Sequence, residues 1–325
     1  MRSKLLSTVL VAVLAFASTA FAGDLARDEV NKAEFTRPSA KNSRAVILKA
    51  QVLLDRLGFS SGTIDGRRND NYASALRAFQ QQNGLNTGGE LDAATWKKLT
   101  ETPEPALIEY TISAVDTKGP FAGEIPESYE KKAELKRLDY TGPLELIAER
   151  FHMDEELLRQ LNRGKSFDQA GSVISVANVS VKPVALRAKV AKLEVDKTRK
   201  SVRALAADGK LLAFYPASIG SDDKPAPSGK LKIVRVARGP SYTYNPEFKF
   251  RGVKADRELK IAAGPNNPVG SVWIALNQKS YGIHGSAEPA KVGKVDSHGC
   301  VRMTNWDALA LALLVRKGTV VEFIE

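Results

Sequence analysis

Residues 281–307 read YGIHGSAEPAKVGKVDSHGCVRMTNWD, and this stretch holds the only cysteine of the chain, Cys300, with two of its three histidines, His284 and His298. A solitary cysteine is either a small apolar core residue or a nucleophile, and composition leaves both readings open. The neighbours favour chemistry. A thiol becomes nucleophilic when a base takes its proton, and an imidazole is the usual base. His284, sixteen positions upstream of Cys300, can return in space for that task. Acyl transfer also needs donors for an oxyanion, and the backbone N–H groups of His298, Gly299 and Cys300, at a glycine-bearing turn, are candidates.

Ile283-His284-Gly285-Ser286, followed by Ser297-His298-Gly299-Cys300-Val301-Arg302-Met303, closely resembles the signature of the L,D-transpeptidase catalytic domain, a cysteine enzyme family that remodels bacterial peptidoglycan. Asn267-Pro268-Val269-Gly270 ahead of a strand, and Asn305-Trp306-Asp307 leading into an apolar helix, also stand in the family's order. Two departures are visible. Ser286 stands where some members have Thr, which keeps a hydroxyl. Ala226-Pro227-Ser228-Gly229 replaces the common Thr-Pro-x-Gly; the turn-forming Pro and Gly stay, and any contact of the Thr hydroxyl is in doubt.

The resemblance implies Cys300 as nucleophile and His284 as proton acceptor, then donor. The sulfur would attack the carbonyl at the L-centre of a diamino acid, meso-diaminopimelate, in a tetrapeptide stem. D-alanine would leave, and the thioester would pass to an amine of a second stem as a 3-3 cross-link. His298 is either a second proton carrier or a residue that orients the turn. Gly299 and Ser297 shape the turn and the oxyanion pocket, and Ser297 joins Ser286 and Arg302 on the substrate side. Ser286 or the Gly285 carbonyl would hold the His284 ring. Arg302 can clamp a stem carboxylate bidentately or serve a structural salt bridge. No cofactor is implied. Two histidines flanking a cysteine also suggest zinc, but no further Cys/His cluster completes a metal site. Carbapenems should acylate Cys300.

Outward from this stretch the chain is read as multidomain. Residues 187–325 form the catalytic part. Alternating segments such as Leu231-Lys232-Ile233-Val234-Arg235-Val236 and a hairpin turn at Asp208-Gly209 predict a mostly β domain, a β-sandwich or barrel-like sheet packed on one main helix near residues 306–315. Residues 43–100 carry three amphipathic patterns, with Val46, Leu48, Val52, Leu53 and Leu57 on the first and Gly58 closing it. That predicts a small all-α bundle. Its LGF, G-x-I-D-G, ALRAFQ and LDAATWKKL resemble the three-helix peptidoglycan-binding domain. Two prolines between residues 101 and 105 mark a boundary. Residues 106–182 read as strand, helix pair and strand, with a strand over 109–115 and Asp154 as an N-cap. This α+β pattern is similar to a LysM module, with about thirty extra residues ahead of the helix pair. His152 within it reads as a surface or half-buried residue.

Residues 1–22 combine Arg2 and Lys4, an apolar run and Ala20-Phe21-Ala22, which predicts a cleaved signal peptide followed by a tether over 23–42. The run is too short to span a bilayer, so the expectation is an exported protein of the periplasm or cell-wall space with no transmembrane anchor. Oxidising compartments favour paired cysteines, and one unpaired thiol there is easier to understand as chemistry. The net charge is +11, or +9 without Arg2 and Lys4 of a segment that holds no acid. Such a balance attracts polyanions; the order of the chain points to wall stem peptides and glycan rather than nucleic acid. The expected role is cell-wall biogenesis and shape. Other acceptors stay open: water would give a carboxypeptidase or hydrolase, a lysine would attach a protein to the wall, and a free D-amino acid would be exchanged. From another class, the chain could be a non-catalytic wall-binding protein.

Overall fold

The computed structural model describes residues 25–37, 39, 43–179, 190–221, 224–248, 253–297 and 299–325. The expected signal peptide, the segment joining the middle module to the catalytic part, and His298 lie outside them.

The expected tether is partly folded. Helix α1 (Arg27–Lys32) buries Val30 completely, and the Asn31 amide brackets Leu107 through both backbone groups, at 2.9 and 2.8 Å. One apolar residue and one amide with two partners are enough to dock so short a segment. Three helices follow: α2 (Arg44–Arg56), α3 (Asp70–Gln82) and α4 (Ala93–Leu99). Asn69 and Asp92 cap the last two by accepting from the backbone N–H groups of Tyr72 and Thr95. Gly58, at φ +86°, lets the chain leave α2 in a left-handed turn.

Helix α2 is apolar nearly all round, and its two faces enter different cores. Val46, Ile47, Ala50 and Leu53 pack with Phe79 and Trp96, and also with Leu205, Leu211 and Phe214 of the catalytic part. Leu48 and Val52 pack with Ile147, Leu157 and Val176 of the middle module. A helix buried this way joins modules rather than standing apart.

The middle module pairs β1 (Leu107–Thr111) antiparallel with β2 (Val173–Ala177), in the register Leu107↔Ala177. Between them come α5 (Ala114–Lys118), α6 (Tyr129–Glu134), α7 (Pro143–Arg150) and α8 (Glu155–Leu161), the last capped by Asp154. The first strand is shorter than its alternation suggests. A capping box between Ser113 and Asp116 starts α5 at Ala114 and leaves Val115 75% exposed.

The catalytic part comprises β3 (Lys192–Asp196), β4 (Ser201–Leu205), β5 (Leu211–Pro216), β6 (Ser218–Ile219), β7 (Gly229–Arg238), β8 (Tyr242–Tyr244), β9 (Leu259–Ile261), β10 (Val272–Leu276), β11 (Gly282–His284), β12 (Val301–Arg302), α9 (Asn305–Leu314) and β13 (Val320–Ile324). Among the described residues, nine strands form one sheet in the order β5-β4-β3-β13-β7-β10-β11-β12-β6. Only Ala217 separates β5 from β6, so the two edges are successive pieces of one chain and the sheet nearly closes. The mostly β architecture with one main helix matches the reading of the sequence. Leu193, Val272, Ile274, Ile283, Val301 and Val321 fill its interior with Ala308 and Leu311 of α9. A separate ribbon, β8 against β9, pairs Tyr242 with Ile261 and Tyr244 with Leu259.

Candidate active site

Strands β11 and β12 run parallel, with Ile283 opposite Val301 and His284 opposite Arg302. This pairing brings the end of the His284 strand beside the turn that delivers Cys300. The turn is fixed from within. The Ser297 hydroxyl accepts from the Gly220 backbone N–H at 2.7 Å and donates to the Cys300 carbonyl. Gly299 has φ +102°, a conformation that favours glycine, and a Cβ there would stand 3.3 Å from the Tyr281 ring.

His284 is buried, at 7% exposure. Its Nδ1 lies 2.7 Å from the Gly285 carbonyl oxygen. A carbonyl can only accept, so Nδ1 carries the proton and Nε2 presents its lone pair. The Trp273 ring, on the cross-strand partner of His284, stacks on the imidazole at 5.6 Å and 21°. Gly282 makes room for that ring: a Cβ there would lie 2.6 Å from it. Gly285 is held in turn by Asn305, whose Oδ1 accepts from the Ser271 backbone N–H at 2.9 Å and would lie 2.2 Å from a Gly285 Cβ.

Cys300 and His284 both rest neutral. Burial pushes the Cys300 thiol up to about 11, against a backbone hydrogen bond from Gly282 that pulls it down. The half-buried thiol donates to the Ser280 carbonyl at 3.6 Å. Burial likewise pushes His284 down to about 4; the Gly285 carbonyl resists, and the charge of Arg302 adds to the fall. Cys300 therefore rests as a thiol and His284 as a free base, rather than as thiolate and imidazolium.

Arg302 donates through Nη2 to the Asp296 carbonyl at 3.0 Å, while its buried Nε has no partner. Burial lowers its pKa, and Glu288 and Tyr129 lie within electrostatic reach. The Ser286 hydroxyl, 2% exposed, accepts from the Glu288 backbone N–H at 3.0 Å, so the Gly285 carbonyl and not Ser286 holds the imidazole. Ser297 and Ser286 thus spend their hydroxyls inside the protein. Trp273, Ser280 and the hub role of Asn305 escape sequence reading, because strand pairing and not local pattern brings them to the site. The one local signal is a polar residue opening an otherwise apolar helix. Among the described residues no group of three or more His, Cys, Asp or Glu side chains gathers to hold a metal ion.

Comparison with known proteins follows the same division of the chain. Residues 191–323 match the model of the L,D-transpeptidase catalytic domain (YkuD), and residues 43–99 match a peptidoglycan binding domain. A protein of Bacillus licheniformis named as an L,D-transpeptidase, YkuD, is 30% identical over 54% of this chain and 90% of its own length. Its namesake in Bacillus subtilis is 37% identical over 27% of this chain, and the match spans about half of that relative, 51%. The solved L,D-transpeptidase of Xylanimonas cellulosilytica is 15% identical, and the match covers 86% of this chain and 92% of its own, with a TM-score of 0.36. On the sequence matches, the chain is an enzyme of the L,D-transpeptidase family.

Proposed function

We propose that the protein is a cell-wall peptidoglycan L,D-transpeptidase that works through a Cys300 thioester. The observation that carries this reading is the neutral His284 ring, fixed by the Gly285 carbonyl on the strand that pairs in parallel with the one following Cys300. Nε2 takes the thiol proton as sulfur attacks the carbonyl at the L-centre of the stem diamino acid. Backbone N–H groups of Gly299 and Cys300 hold the oxyanion. The C–N bond then breaks, His284 returns the proton to the leaving D-alanine amine, and a thioester remains. An acceptor amine attacks that thioester, His284 takes its proton and passes it to the departing sulfur, and the thiol is restored. Arg302 orients the stem through a carboxylate. The helical module at 43–99 grips the wall, the antiparallel β1–β2 pair with the α7–α8 helix pair between its strands supports a LysM-like second anchor, and residues 1–22 direct export.

The test is incubation of the full chain, and of Cys300→Ala, with disaccharide-tetrapeptide, followed by mass spectrometry. Cross-linked dimers from the unsubstituted protein alone support the reading. Tripeptide without dimer replaces transpeptidation by hydrolysis. No turnover by either protein would leave a wall binder. Carbapenem exposure should add one acyl mass to the protein and none to Cys300→Ala.

A further inference from the structure

One element of the middle module reaches the catalytic face. Helix α6, capped by Ser128, lies in the extra segment between β1 and α7. Its Tyr129 packs edge-on against Tyr242 and Tyr244 of β8, at 6.1 Å and 77° and at 5.6 Å and 67°. Those tyrosines bear directly on the site. Tyr242 is within electrostatic reach of Cys300, and Tyr129 within reach of Arg302. Helix α6 also packs against β9, and its own backbone, then that of Lys254 and Ala255, lowers the pKa of Glu130.

Lys132 stands one turn from this contact. Its Nζ sits 5.7 Å from the centre of the Tyr129 ring. Among the described residues it has no carboxylate within ion-pair distance, although Glu288 and Glu127 lie within electrostatic reach. Burial lowers its pKa, so a cation is held partly out of water with no anion against it. Arg302, which also feels Glu288, keeps a buried Nε unpartnered. Lys132 and Arg302 thus share Glu288 as an electrostatic neighbour, and two incompletely satisfied cations are costly unless an anionic ligand completes them.

We propose that α6 forms a wall of the stem-peptide channel, and that Lys132, facing the site with Arg302, binds a free carboxylate of the donor stem. The module ahead of the catalytic part thereby supplies a specificity-determining residue in cis. This inference rests on the peptidoglycan reading above, and its test separates the two.

Binding is measured by calorimetry on the full-length Cys300→Ala protein, so that turnover plays no part. The ligands are disaccharide-tetrapeptide and the same compound with its free carboxylates converted to carboxamides. Lys132→Gln in that background should weaken binding of the carboxylate ligand about tenfold, Lys132→Glu should weaken it further, and Lys132→Arg should restore it. The carboxamide ligand should bind all four proteins alike. In the active enzyme, Lys132→Gln should raise KM with kcat retained. Equal affinities for the carboxylate ligand across the series would overturn the role of Lys132, even with wild-type turnover intact. Tighter binding or faster turnover in Lys132→Gln would also overturn it, and would make α6 an obstruction. A wild-type protein that binds and turns over the stem, with α6 variants indifferent, leaves the transpeptidase reading standing alone.

Discussion

At Cys300 the sulfur rests as a thiol, so in the proposed reaction the approach of substrate would trigger proton transfer. With the thiol near 11 and His284 near 4, the fraction of thiolate rises about tenfold per pH unit across the neutral range. Iodoacetamide should therefore alkylate the resting enzyme faster at each step from about pH 6 to about pH 10, with no plateau. A rate already level near pH 7 would mean an ion pair and would contradict the burial of both groups. By the same logic kcat/KM should stay flat through neutrality and fall on the acid side only as His284 protonates near 4. The two side chains proposed for this chemistry are picked out in the sequence as the one cysteine of the chain and a histidine sixteen positions before it. Their pKa values are not legible. They come first from burial, then from Gly282 beside the thiol and from Gly285 and Arg302 beside the imidazole, neighbours that strand register assembles. Ser280, whose carbonyl accepts from the thiol, holds φ +70°, which a sequence of ordinary residues does not advertise.

Among elements, the start of α9 is where the catalytic strands are braced. Asn305 donates to the Glu149 carboxyl group at 2.8 Å and accepts from the Ser271 backbone N–H at 2.9 Å, joining the middle module to the β10 edge beside Gly285. Asn305→Ala should cost about 3 kcal/mol in urea unfolding, since it leaves a buried N–H without an acceptor. Gly285→Ala should cost about 1–3 kcal/mol by overpacking against Asn305, and should slow carbapenem acylation by tilting His284; an acylation rate equal to wild type would refute that link. Element type is legible wherever pattern and cap agree, as at Asp154 ahead of α8 and Thr304 ahead of α9. It fails at Ser113, where a capping box cuts short an alternation that reads as strand, because a local hydrogen bond there outweighs the apolar period.

In the whole molecule, the junction between modules is built from carboxyl groups kept out of water. Burial raises Glu149 to about 8, with Glu145 and Glu155 adding to the rise and Asn305 and Tyr140 opposing it. Burial raises Asp307 to about 7, with Asp55 adding and His152, Thr304 and Ser60 opposing. Burial works against His152, but Asp55 and Asp307 outweigh it and raise its pKa. All three groups bind protons more tightly folded than unfolded. Each contribution is therefore complete only below the unfolded value, 4.5 for Glu149, 3.8 for Asp307 and 6.5 for His152, and is lost as pH climbs from there through the folded value. Stability should fall by up to about 1.4 kcal/mol per pH unit for each carboxyl group titrating above its unfolded value. Chemical denaturation between about pH 5 and about pH 8 checks this, and Glu149→Gln should flatten the slope. Asp116 acts in the opposite sense, its contribution being lost as pH falls from its ordinary value of 3.8 through the folded one. Burial opposes its ionisation, but hydrogen bonds from Tyr110, Ser113 and Arg150 hold it at about 2. The module order is legible in the sequence, whereas this junction is not, since Ser60, His152 and Trp306 lie far apart along the chain. A fragment of residues 190–325 should aggregate on size exclusion, because Leu205, Leu211 and Phe214 lose their cover from α2. That shared helix has a wider consequence. With the glycan gripped at one end and sulfur fixed at the other, as proposed above, the protein would be a caliper of set span: it would join those stems that the lattice presents at one offset, and the spacing of the wall itself would select the link.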